Sequence, residues 1–73
     1  MAELGTVKFW KDRAPIEKPF GFIVPDDGGP DVYFDDRGLR FKEYEPKRYD
    51  HVKFDRTEIG PKKYAINVEP IGA

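Results

Sequence analysis

The sequence predicts an all-β fold, five short strands closed into a barrel. Three observations carry that expectation. Pro15, Pro19, Pro25, Pro30, Pro46, Pro61 and Pro70 cut the chain into short pieces, and a proline costs a helix interior about 3 kcal/mol or more. In the longest proline-free stretch, residues 31–45, the apolar Val32, Tyr33, Phe34, Leu39, Phe41 and Tyr44 do not recur at the i, i+3, i+4, i+7 of a helix face. Short runs of β-branched and aromatic residues do recur, between turns bearing Gly and Pro. A chain of 73 residues has room for one core and one domain, residues 1–73, without crossover helices. An open sheet would leave its edge strands unpaired, and closure into a barrel hides most of that edge.

The strands follow in order. The first is expected over Thr6 to Trp10, where Val7 and Phe9 stand two apart. The second covers Phe20 to Val24 and is stopped by Pro25; the third covers Asp31 to Asp35. Between them, Asp26-Asp27-Gly28-Gly29-Pro30 suits a hairpin loop. Residues 37–50 are charged and without period, which predicts a long surface loop holding at most one helical turn. In the fourth strand Val52 and Phe54 alternate with Lys53 and Asp55, from a start at or just before His51. In the fifth, Tyr64, Ile66 and Val68 alternate with Ala65 and Asn67, and Gly60-Pro61 marks the turn between the two.

Composition excludes several functions. There is no cysteine and one histidine, His51, so neither a disulfide framework nor a Cys- or His-based metal cluster is expected. The absence of serine and cysteine removes the commonest nucleophiles. Gly28-Gly29 lacks the Lys-Ser/Thr of a phosphate loop. Adjacent carboxylates such as Asp35-Asp36 point to opposite faces of a strand and do not converge as an acid pair. The chain is therefore not expected to be an enzyme or to carry a cofactor. Met1-Ala2-Glu3-Leu4-Gly5 has no basic segment leading into an apolar run, and no stretch approaches the ~20 apolar residues of a membrane helix, so a cytoplasmic protein with no membrane partner is expected.

Charge and aromatic content pull in different directions. Thirteen Lys+Arg against fourteen Asp+Glu leave −1, which argues against a binder working by bulk charge. The balance is uneven: residues 1–36 carry four bases and eight acids (−4), and residues 37–73 carry nine and six (+3), so basic surface is expected toward the second half. Eleven rings (six Phe, four Tyr, one Trp) are more than so small a core readily holds, and rings left on a surface mark a binding face.

Alternation suggests which rings those are. Side chains next to each other in a strand face opposite ways. If Ile23 enters the core, Phe20 and Phe22 share the outer face. If Val32 and Phe34 enter it, Tyr33 lies outside with Asp31 and Asp35, and a hairpin sets Tyr33 beside Phe20 and Phe22. Such a platform can stack unpaired bases at roughly 1–3 kcal/mol each. The alternative register, with Phe20 and Phe22 lining the barrel, is the commoner fate of aromatic strand residues, and one strand does not decide between them.

Several motifs resemble one family. Lys18-Pro19-Phe20-Gly21-Phe22-Ile23 resembles the first ribonucleoprotein motif of cold-shock proteins, and Gly5-Thr6-Val7-Lys8-Phe9-Trp10-Lys11 resembles their opening strand. Asp31-Val32-Tyr33-Phe34 resembles the start of their second motif, and Gly60-Pro61 with Ala65-Ile66-Asn67-Val68 is similar to their ending. The four come in family order over nearly the whole chain. The resemblance implies a five-stranded antiparallel OB-type barrel, a monomer that binds single-stranded RNA or DNA in the manner of an RNA chaperone. It assigns Phe9, Trp10, Phe20, Phe22 and Tyr33 to the base-stacking face, Lys8 and Lys18 to nearby phosphates, Phe41 to a loop ring, and Lys62 and Lys63 to the backbone beside the last hairpin. The RNA-recognition-motif domain shares a related signature but needs two helices, for which the prolines leave no room.

The departures from that family matter. Phe9-Trp10 inverts its usual Trp-Phe, Pro19 stands for a glycine, and the loop from Lys11 to Pro19 is longer. Asp35-Asp36 stands where the family has His-Phe, in a run from Pro25 to Asp36 with five acids and no base. Two carboxylates there repel phosphate, which predicts weaker binding than in the family; a solvated edge that blocks strand pairing is the plainer reading, and hydrogen bonding to cytosine amino groups a sharper one. A barrel that has lost nucleic-acid binding and serves as a protein-interaction module is the competing expectation.

Overall fold

The computed structural model describes residues 2–13 and 15–71. These form β1 (Glu3–Lys11), β2 (Phe20–Pro25), β3 (Val32–Asp35), a 3-10 turn (Asp36–Gly38), β4 (His51–Ile59) and β5 (Lys62–Pro70). The strands close into a barrel in the order β1-β2-β3-β5-β4. The all-β class and the five strands match the expectation. No helix of the described residues is long and apolar enough to cross a membrane.

One detail of the expected barrel is corrected. The strands are not all antiparallel: β3 and β5 run parallel, paired at Tyr33↔Tyr64. The reason is topological. A closed ring with an odd number of strands cannot alternate direction all the way round, so one neighbouring pair must run parallel.

The core is built from Val7, Ile23, Val32, Phe34, Val52, Phe54, Ala65 and Val68, none more than 2% exposed. Trp10, Leu39 and Tyr44 pack against it. Ile23, Val32 and Phe34 thus point inward as alternation requires, and β2 pairs with β3 through Phe20↔Asp35, Gly21↔Phe34, Phe22↔Tyr33 and Ile23↔Val32. Their connection is the expected hairpin loop. Gly28 takes φ 82° there, and the Gly29 N–H donates to Asp27 Oδ1 at 2.9 Å.

Two irregularities reset the alternation. In β1 the register passes from Val7↔Ile23 to Phe9↔Phe22, leaving Lys8 unpaired with β2. Val7 then faces in, Phe9 out and Trp10 in, because the extra residue shifts the pleat by one. In β5, Lys53↔Glu69 is followed by Asp55↔Ile66, so Asn67 and Val68 together oppose Phe54. Asn67 adopts φ 53° and donates from Nδ2 to Asp55 Oδ2 at 3.1 Å. Ala65 and Val68 are therefore both buried although three apart, and the simple alternation of Tyr64, Ile66 and Val68 with Ala65 and Asn67 is broken.

β4 is longer than its apolar pattern indicates. Its polar end continues because Arg56↔Ala65, Thr57↔Tyr64, Glu58↔Lys63 and Ile59↔Lys62 pair it with β5 up to the Gly60 turn. The loop after β3 holds one helical turn, as expected, of the 3-10 kind. It rejoins the barrel through two backbone bonds to β1, Tyr49 N–H to the Val7 carbonyl and Val7 N–H to the Asp50 carbonyl, both 2.8 Å.

Candidate functional site

Five rings lie together on the outer face of the sheet. β1 supplies Phe9, β2 supplies Phe20 and Phe22, β3 supplies Tyr33 and β5 supplies Tyr64. Tyr33 is the hub. Its ring centroid lies 6.1 Å from Phe20 in a stacked arrangement, 5.7 Å from Phe22 edge-on and 5.4 Å from Tyr64 edge-on. Phe9 closes the set at 6.0 Å from Phe20 and 5.5 Å from Phe22. Each ring is half-buried, held at its edges by its neighbours. These separations are those at which aromatic pairs attract, so the rings fix one another before any ligand arrives.

Sequence-predicted residues divide accordingly. Phe9, Phe20, Phe22 and Tyr33 come together. Trp10, assigned to the same face, does not join them: it stacks on the core ring of Phe34 at 5.0 Å and 27°. The Lys8 irregularity is the cause, since it turns Phe9 outward and the next residue inward. Tyr64 takes the vacated fifth place. Strand alternation left the facing of Tyr64 unassigned; the Asn67 irregularity and the parallel pairing with Tyr33 reveal it. Phe41 is exposed in the loop after β3, with the Arg40 guanidinium 5.6 Å over its ring.

The charged groups are organised around the rings. Lys8 Nζ pairs with Asp31 Oδ2 at 2.9 Å. Lys11, not singled out by sequence, sits 5.6 Å over the Phe9 ring. Lys18 is exposed in the connection ahead of β2. Lys62 and Lys63 open β5 and border a groove of about 500 Å3 at the Tyr33–Tyr64 end of the ring set. The apolar lining of that groove is Phe22, Tyr33 and Tyr64. Its charged lining is Asp31, Asp35, Arg37, Lys62 and Lys63.

The acidic run reads differently in three dimensions. Asp35 is not a solvated edge residue. It is 9% exposed, and its carboxylate caps the 3-10 turn by accepting from the Arg37 N–H at 3.0 Å (Oδ1) and from the Arg37 guanidinium at 3.2 Å (Oδ2). Asp31 meets Lys8, and Asp27 lies 4.0 Å from Arg56, which also holds Glu3 at 2.7 Å. Bases thus offset three of the five acids, Asp27 and Asp31 through distant parts of the chain and Asp35 through its near neighbour Arg37. Burial raises the Tyr33 phenol above its ordinary range, and the Asp35 carboxylate adds to the effect, so Tyr33 presents a neutral ring and hydroxyl near neutral pH.

No family model matches the chain. It is similar to glycine-rich protein 2 of Nicotiana sylvestris, 50% identical over 36 residues, which is 49% of this chain and 15% of that protein. The chain therefore spans a small part of the length of the curated relative it matches.

Proposed function

We propose that this barrel is a cold-shock-like domain that binds single-stranded RNA or DNA by stacking bases on the five-ring face, acting as a monomer in the manner of an RNA chaperone. The observation that supports this reading is the face itself, Phe9, Phe20, Phe22, Tyr33 and Tyr64 in mutual contact on a barrel exterior with lysines at its border. The core rings Phe34 and Phe54 are at most 1% exposed, whereas all five rings of the face keep part of their surface open to solvent. Base stacking is sequence-tolerant because every base has a π face, and the Lys62–Lys63 pair is suited to the backbone that follows the bases.

The test is binding of an oligothymidine strand by fluorescence anisotropy, with wild type, Phe20→Ala and Phe22→Ala. Loss of one stacked base at roughly 1–3 kcal/mol predicts about 5- to 150-fold weaker binding for each variant. Trp10 emission serves as the fold control, because Trp10 rests on core Phe34 and apart from the ring set. Variants that remain folded and bind as wild type would falsify the stacking reading; a wild type that binds no strand at low salt would favour the protein-interaction module.

A further inference from the structure

The groove at the Tyr33–Tyr64 end carries one group that stacking does not use. The Arg37 side chain is 75% exposed, yet its guanidinium is tied to Asp35 Oδ2 at 3.2 Å while its backbone N–H is tied to Asp35 Oδ1 at 3.0 Å. One carboxylate thus holds both the start of the turn and the head of the side chain. The same carboxylate offsets the arginine's charge. That makes Arg37 a poor attractor of phosphate, which responds to net charge, and leaves Lys62 and Lys63 to that role. What survives neutralisation is direction: a planar fork of donors, only part of it engaged by Asp35.

Resting on the stacking reading above, we propose that Arg37 is a guanine-reading residue, taking the O6 and N7 acceptors of a base stacked at the Tyr33–Tyr64 end. Guanine alone offers two adjacent acceptors on that edge. Adenine sets an amino donor beside N7, cytosine offers an amino donor, and thymine a single oxygen beside a methyl group. A donor fork facing the other three bases meets a like donor or half a partner. The groove has the size of an ordinary small-ligand site, roughly 300–1,000 Å3, and two of its walls are the rings on which the base would lie. Asp35 acts here as a positioning residue, since it is turned toward Arg37 and its cap and is itself 9% exposed.

The experiment uses the full chain and three sets of strands: all dT, all dT with one position at a time changed to dG, and the same with 7-deaza-dG, which lacks the N7 acceptor. Wild type should bind dG at one position at least about fivefold tighter than dT, with the gain lost for 7-deaza-dG. Arg37→Lys keeps the charge and the backbone cap but not the fork; its dG-to-dT ratio should fall to near one. The proposal is overturned if no position prefers dG, if 7-deaza-dG keeps the preference, or if Arg37→Lys retains it. Binding of the all-dT strand without any dG gain overturns this proposal alone, whereas binding of no strand overturns the stacking reading with it.

Discussion

At the scale of single residues, buried or half-buried polar groups are spent on holding the loop after β3. Tyr44 packs against the core and its hydroxyl donates to Asp50 Oδ2 at 2.9 Å, while the Lys47 N–H donates to the same oxygen at 3.0 Å. Burial first, then the Asp50 contact, pushes the Tyr44 phenol well above its ordinary value of 10.0. A phenol whose folded value is raised stabilises the fold below its unfolded value and loses that contribution as pH climbs toward the folded one. Stability should therefore decline above about pH 10, more steeply in wild type than in Tyr44→Phe, as urea midpoints across alkaline pH would register. Equal slopes would mean that Tyr44 ionises as freely folded as unfolded. Asp35 gives the companion lesson. Its residue type announces a charged, exposed side chain, and its neighbours make it a cap.

At the scale of elements, the two strand irregularities decide the site. Without the extra residue at Lys8, Phe9 would follow Val7 into the core. Without the left-handed Asn67, Ala65 and Val68 could not both point inward. β2 crosses β1 closely at this point. A Cβ on Gly21 would meet the Phe9 carbonyl oxygen and come within 3.1 Å of both Phe34 and Trp10. Gly21→Ala should thus overpack the junction between core and ring face, costing roughly 1–3 kcal/mol, read as a lower urea midpoint with an unchanged m-value. A neutral substitution would show that β1 and β2 can part without loss. The strands themselves were legible in sequence, because proline spacing and β-branched runs are local signals. Their ends were not, since the polar half of β4 is a strand only through its pairing with β5.

At the scale of the whole molecule, near-neutrality conceals pairing between distant segments. The acid-rich first half meets bases from other strands, as in Arg56 with Glu3 and Asp27, and residues 1–36 at −4 face residues 37–73 at +3. Two of the bases at the ring face, Lys8 and Arg37, are paired with acids, which leaves Lys11, Lys62 and Lys63 as its main positive groups. A stacking-led binder with that charge layout should show a shallow salt dependence, a log–log slope of about −1 to −3 for oligothymidine, at about −0.7 per phosphate neutralised on a single strand. A slope near −6 would mean that affinity comes from a basic surface larger than the groove border. The barrel gives this prediction its geometry, since ring closure sets β3 beside β5 and with it brings the groove lysines to Tyr33.

The sequence by itself determined the class of fold, the five strands and the hairpin between β2 and β3. Those follow from proline geometry, turn chemistry and a period of two, all set by near neighbours. Only the tertiary structure decided that Phe20, Phe22 and Tyr33 face outward, that Trp10 turns to the core and Tyr64 to the face, and that β3 and β5 are the parallel pair. Each depends on a register or a ring closure between segments far apart in the chain, and an inserted residue that inverts a strand's two faces leaves no signature in the order of residue types.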